Sequence, residues 1–138
     1  MKKIVLFFAI LLNNFCFGQQ TAAIIDQENR KCHENSTPAT ISSVECEKEA
    51  LASWEKLMGE VLLQLKANPE KVAVELLFDS QTHWVKFQKA DLKFHAAFYY
   101  KLYEGGTMSI AAIATREKQQ FRERTLYLLE LLEAIQEE

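Results

Sequence analysis

The chain has 138 residues, with 16 Lys and Arg against 19 Asp and Glu, a formal charge of −3, and 49% hydrophobic residues. That length supports one domain with its own core. The mild acidity excludes the basic footprint of a nucleic-acid binder and suits a cationic protein partner.

Residues 1–18 read as an export signal that is removed. Lys2 and Lys3 form a basic start, Ile4 to Leu12 is an apolar run too short to span a bilayer, and Gly18 precedes Gln19-Gln20 at a plausible cleavage point. Lipidation at Cys16 is disfavoured, because Asn14-Phe15 stand where a lipoprotein signal has small residues. Without the signal, 14 basic residues face 19 acidic ones, a formal charge of −5. No later apolar run approaches the roughly 20 residues of a membrane helix. The expectation is a single domain over 19–138, periplasmic or secreted, with no membrane insertion after signal removal.

Two cysteines then remain, Cys32 and Cys46. In an oxidising compartment an even pair is most simply a disulfide, worth about 3 kcal/mol for a loop of this length in the chain-entropy model. The rival is a metal site from Cys32, His33 and Cys46, but zinc wants a fourth ligand and none is near.

Gln19 to Lys31, with Ala22, Ala23, Ile24 and Ile25, predicts a short, loosely held helix, and His33 to Ser36 a polar loop. Thr37-Pro38 looks like an N-cap with proline at the first helical position. The helix that follows runs to about Ala67, with Leu51, Trp54, Met58, Val61 and Leu65 spaced three and four apart. Asn68-Pro69-Glu70 predicts a tight hairpin into the next helix, which reaches Glu104. Two apolar stripes line that stretch: Leu77, Trp84, Phe87, Phe94 and Phe98, and then Val74, Phe78, Val85, Leu92 and Tyr99. So wide an apolar arc predicts a central helix with two partners. Gly105-Gly106 ends it, Thr107 can cap the last helix, and Ile110, Ala114, Phe121, Leu128, Leu132 and Ile135 continue the seam. The predicted fold is all-α, an antiparallel three-helix bundle with a short N-terminal segment tethered by Cys32–Cys46.

No phosphate loop, zinc-protease motif or catalytic constellation is present, and no cofactor or metal is expected. Asp79/His83 and Asp91/His95 are spaced as surface helix pairs, and Lys86, Lys89 and Lys93 as a solvated face. Arg124 is expected to lay its stem on the core and keep its charge wet. A partner would dock at one pole of the bundle, on Tyr100, Tyr103 and Glu104 beside the loop carrying Glu34 and Asn35.

The order of several short motifs carries a resemblance. Thr40 stands six residues before Cys46, followed by Gln81-x-x-Trp84-x-x-Phe87, Gly105-Gly106-Thr107, and Glu123-Arg124-Thr125-x-x-Leu128. This set resembles the LprI-like lysozyme-inhibitor domain family over roughly Cys32 to Leu132. The resemblance implies a small exported helical domain, not an enzyme, with a protein partner such as a lysozyme. The alternative it leaves is an envelope structural or assembly module. It implies mainly structural roles for Thr40, Gln81, Trp84, Gly105, Gly106, Arg124 and Thr125. Trp54 and Met58 replace an Asp and an Asn of the family pattern, and Gln88-Lys89 replace an Arg-Asp pair. The family's second cysteine pair falls near Leu92 and Arg116, where this chain has no cysteine.

Overall fold

The computed structural model describes residues 2–37 and 39–137, with side chains from Gly18 onward. Four helices follow one another, α1 Lys2–Asn35, α2 Thr40–Lys66, α3 Val74–Leu102 and α4 Thr107–Gln136, with no strand among the described residues. The three-helix expectation is therefore corrected to four. The stretch Gln19–Lys31 is not short or loosely held, and His33 to Asn35 are helical rather than loop. No Gly or Pro interrupts it after Gly18, and Ala22, Ile25, Asn29 and Cys32 recur on one face. Ala22 and Ile25 are each only 5% exposed.

The core is built by α1, α2 and α4. Trp54, Val61, Thr125 and Leu128 are fully buried, packed with Ala22 and Ile25 from α1, Leu57, Met58 and Leu65 from α2, and Leu129 and Leu132 from α4. Burying an indole of this size contributes about 4–6 kcal/mol. Contacts along the seams fix the directions. Glu47 meets Lys118 and Trp54 meets Thr125, so α2 and α4 run parallel. Cys32 meets Cys46 and Gln19 meets Glu133, so α1 runs antiparallel to both.

The helix expected at the centre is peripheral. α3 packs chiefly on α4, and no α3 residue belongs to the buried apolar cluster; Leu77 and Trp84 lean on it from outside. Phe78, Phe87, Phe94 and Phe98 are exposed. Periodicity reported the apolar arc correctly, but an arc does not say whether a partner within the chain covers it. The hub is α4, although Ile110 of its expected seam is exposed.

The helix ends also differ from expectation. Ala39, not Thr37, is the N-cap of α2, and it makes no side-chain cap bond. Thr37 instead pairs its hydroxyl with Ser42 at 3.0 Å, and the Pro38 expectation lies outside the described residues. The link after α2 is longer than a tight hairpin: Asn68 O accepts from the amides of Lys71 and Val72, and α3 begins only at Val74. Gly106, not Thr107, caps α4, with Ser109 Oγ donating back to Gly106 O at 2.7 Å.

Cys32 and Cys46 are disulfide-bonded with Cα atoms 5.7 Å apart, closing the α1–α2 corner. Serine at both positions should lower the unfolding free energy by about 2–4 kcal/mol. The far-UV helical signal should stay near native, because Ala22 and Ile25 still anchor α1. A loss of less than about 1 kcal/mol in denaturant titration would contradict the tether.

Candidate functional site

Most of the motif residues singled out in the sequence come together where α3 meets α4. Among the described α3 residues only Gln81 and Gln88 are buried, seven apart and on the same face. Gln81 Oε1 accepts from Arg124 Nε at 3.0 Å, and its Nε2 faces Met58 Sδ at 3.5 Å. The Arg124 guanidinium also donates to Ser80 Oγ at 3.3 Å and lies 5.8 Å from the Trp84 ring and 5.5 Å from that of Tyr127. It is half-buried, its guanidinium lying over the Trp84 and Tyr127 rings while the hydrogen bond to Ser80 stays exposed. Burial lowers its pKa from the ordinary value, with Tyr127 acting the other way, and the group stays charged. Trp84 packs edge-on against Phe121, centroids 5.2 Å apart. Thr125 donates to Phe121 O at 2.7 Å, with Trp54 O at 3.4 Å. Thr40 stands apart from this cluster, as the first residue of α2.

Two turns further along α3, Gln88 Nε2 donates to Gln120 Oε1 at 3.2 Å. Gln120 Nε2 in turn donates to Asp91 Oδ2 at 2.6 Å, and Arg116 Nη2 to the same oxygen at 2.8 Å. His95 Nδ1 lies 3.4 Å from it. The Arg116 hydrogen bond, ahead of the nearby His95 charge, holds the Asp91 carboxyl below the usual carboxylate range against the opposing effect of burial. Asp91/His95 is thus part of an interhelical clasp and not a simple surface pair. Asp79/His83 does stay on the surface, at 3.4 Å. The clasp occupies the α3–α4 region where the family resemblance places a second disulfide.

Sequence reasoning missed a third cluster, beside Cys32–Cys46. Glu47 is 4% exposed, and its carboxylate meets His33 Nε2 at 2.5 Å, Lys118 Nζ at 3.1 Å and Asn29 Nδ2 at 3.5 Å. The bridged sulfurs and the His33–Glu47 contact replace the rival metal reading. The one signal for this cluster was a glutamate placed directly after a buried cysteine.

At the expected docking pole, Glu34, Asn35, Tyr100, Tyr103 and Glu104 are all exposed. Glu34 and Asn35 close α1, whereas Tyr100, Tyr103 and Glu104 sit at the α3–α4 tip, so the two halves stand on different helices. Gly105 N–H donates to Tyr100 O at 2.7 Å and Glu104 N–H to Lys101 O at 3.4 Å, the pattern of a Schellman cap. Its left-handed position falls on Glu104, φ 52°, a conformation that costs a non-glycine residue about 1–2 kcal/mol. Gly105 takes φ 75°, where a side chain is strained, and a Cβ there would sit 3.1 Å from the Tyr100 ring, which would have to give way. Below the tip, Ala96, Tyr100, Gly106, Ile110 and Ile113 line an open, mostly apolar groove of about 630 Å³.

The described residues define a small, all-helical, disulfide-linked domain. The family model described as Lysozyme inhibitor LprI matches residues 32–128, and the chain belongs to that family. No curated protein and no solved structure matches it.

The clasp makes a pH prediction. The folded Asp91 pKa lies below its unfolded value, so the stabilisation is complete above about pH 4 and is lost as pH falls through the depressed value. Asp91→Asn should melt lower than the parent at pH 7, with the gap closing in acid. A gap that stays constant down to about pH 2 would contradict the clasp.

Proposed function

We propose that this chain is an exported protein-binding domain that inhibits a lysozyme-type muramidase. The observation that carries the reading is the family match over residues 32–128. A Cys32–Cys46 disulfide supports an oxidising compartment such as the periplasm or the exterior. The acidic balance of −5 over residues 19–138 favours encounter with a cationic enzyme. The partner docks at the pole: Tyr100 and Tyr103 supply large, semi-rigid contact area, and Glu104 offers a carboxylate at the hairpin tip. Glu34 and Asn35 extend the surface from the end of α1. The left-handed backbone at Glu104 supports a residue that serves contact rather than stability.

A second reading, an envelope structural or assembly module, draws support from Trp54 and Met58. They fill the core where the family pattern has polar side chains, so any activity built on those groups is gone. Co-purification with an envelope complex, without effect on lysis, would select it.

The chain from Gln19 onward keeps every residue of the described core. Added to lysozyme and peptidoglycan, it should slow lysis at near-equimolar ratios. Alanine at Tyr100, Tyr103 and Glu104 together should remove the inhibition while leaving the unfolding midpoint nearly in place. Unchanged lysis by c-, g- and i-type lysozymes would refute the function. A triple variant that inhibits like the parent would move the site off the pole.

A further inference from the structure

The outward arc of α3 carries an aligned aromatic row that nothing among the described residues covers. Phe87, Phe94 and Phe98 are 61%, 63% and 47% exposed. Spaced seven and four apart, they form one strip about 16 Å long. Phe94 and Phe98 stack at 6.2 Å, and Phe94 sets its edge against His95 at 5.3 Å, so the rings order one another within the helix. Exposed Leu102 prolongs the strip at its C-terminal end, whereas exposed Leu76 stands between the exposed carboxylates of Glu75 and Asp79 and lies outside it. Single exposed apolar side chains are ordinary, whereas a contiguous row marks a surface that something covers.

The charges beside the row select what covers it. Lys86 and Lys93 each precede a phenylalanine by one residue, about 100° around the helix, and Lys101 follows Phe98 by three. All three are exposed, and none forms an ion pair among the described residues. On the opposite flank Arg124 is held by neutral Gln81 and Ser80 and by the Trp84 and Tyr127 rings, with no carboxylate partner among the described residues. Asp91, on the same helix, is already paired with Arg116. A basic aromatic strip therefore stands on a chain whose residues 19–138 sum to −5. It would repel both a cationic protein and the same strip of a second copy. Its rings lie on the crest of a helix rather than in a groove, a shape that suits a flat, yielding surface over a knob from a partner.

We propose that this face of α3 docks on an anionic lipid surface, Phe87, Phe94 and Phe98 entering the headgroup layer while Lys86, Lys93, Lys101 and Arg124 meet phosphates. The helix then lies in the interface plane, its aromatic side sunk and its lysines reaching to the headgroups. No spanning segment is required, and among the described residues no helix is long and apolar enough to be one. Lys101 and Leu102 adjoin the docking pole, but Phe87, Phe94 and Phe98 lie outside it, so Phe94→Ser with Phe98→Ser reads lipid docking separately from lysozyme inhibition.

Co-sedimentation of the chain from Gln19 with vesicles tests this. The protein should pellet with equal parts phosphatidylglycerol and phosphatidylcholine, should stay in solution with phosphatidylcholine alone, and should be released by added salt. Phe94→Ser with Phe98→Ser, and separately Lys86→Glu with Lys93→Glu and Lys101→Glu, should each weaken pelleting by at least about tenfold. Both variants should keep the parent's helical spectrum. Absence of pelleting with the mixed vesicles, or equal pelleting with both kinds, would overturn the proposal. So would a parent dimer that Phe94→Ser with Phe98→Ser dissolves, which would make the face a contact between copies. Retention on an acidic protein matrix without vesicle binding would overturn it in favour of a protein partner.

Discussion

Trp54 and Thr125 meet between the parallel helices α2 and α4, both fully buried, and the other elements are arranged around that contact. Thr125 spends its hydroxyl proton on Phe121 O, inside its own helix, so it needs no partner side chain from α2. The compact side chain lets the two backbones approach, and the indole fills the space beside it. A ring of that volume leaves only a thin wall for α1 to close, which Ala22 and Ile25 do. Arg122 then lies 5.7 Å from the Trp54 ring and is held there by paired hydrogen bonds to Asp26 of α1, at 2.9 and 2.8 Å. The same hydrogen bonds raise the Arg122 pKa above its ordinary value. One contact thus sets the α2–α4 spacing and the position of α1.

That arrangement decides what is left for α3. α4 turns Lys118, Arg122, Thr125 and Leu129 toward α1 and α2, which leaves Arg116, Gln120, Phe121 and Arg124 for the remaining side. Three of those four are polar. Their partners on α3 are accordingly Gln81, Gln88 and Asp91, and the interface is a chain of hydrogen bonds with Trp84 as its apolar anchor. Such a seam is directional and fixes the register of α3 on α4, but it buries little apolar area. The phenylalanines of α3 stay outside because the core was closed without them.

How far the sequence foretold this depends on the physical signal in each element. The α2 stripe was legible, since Trp54, Met58, Val61 and Leu65 are buried at the spacing that predicted it. So was the disulfide, because the pair left after the expected signal, with the expectation of export, sufficed. α1 was underestimated because it buries two small or branched side chains and otherwise holds on through Asp26, Asn29 and His33, which carry no hydrophobic period. α3 was overestimated for the opposite reason: its Phe-rich arc has the period of a core face, and period cannot separate a covered face from one left open. The signal for the true seam was polar, Gln81 and Gln88 seven residues apart. Of the candidate site residues, the Gln81–Trp84–Arg124–Thr125 neighbourhood came together as one cluster, whereas Glu47 had only its place directly after Cys46 to announce that it would be buried.

The central claim is that α1, α2 and α4 form the folded unit and that α3 is fastened to one side of it by a polar clasp. Native-state hydrogen exchange, resolved by helix, tests this most directly. α3 amides should exchange through a sub-global opening that costs less than global unfolding, while the amides around Trp54, Val61 and Leu128 exchange only with the whole molecule. Protection in α3 equal to that of α2 and α4 would contradict the account.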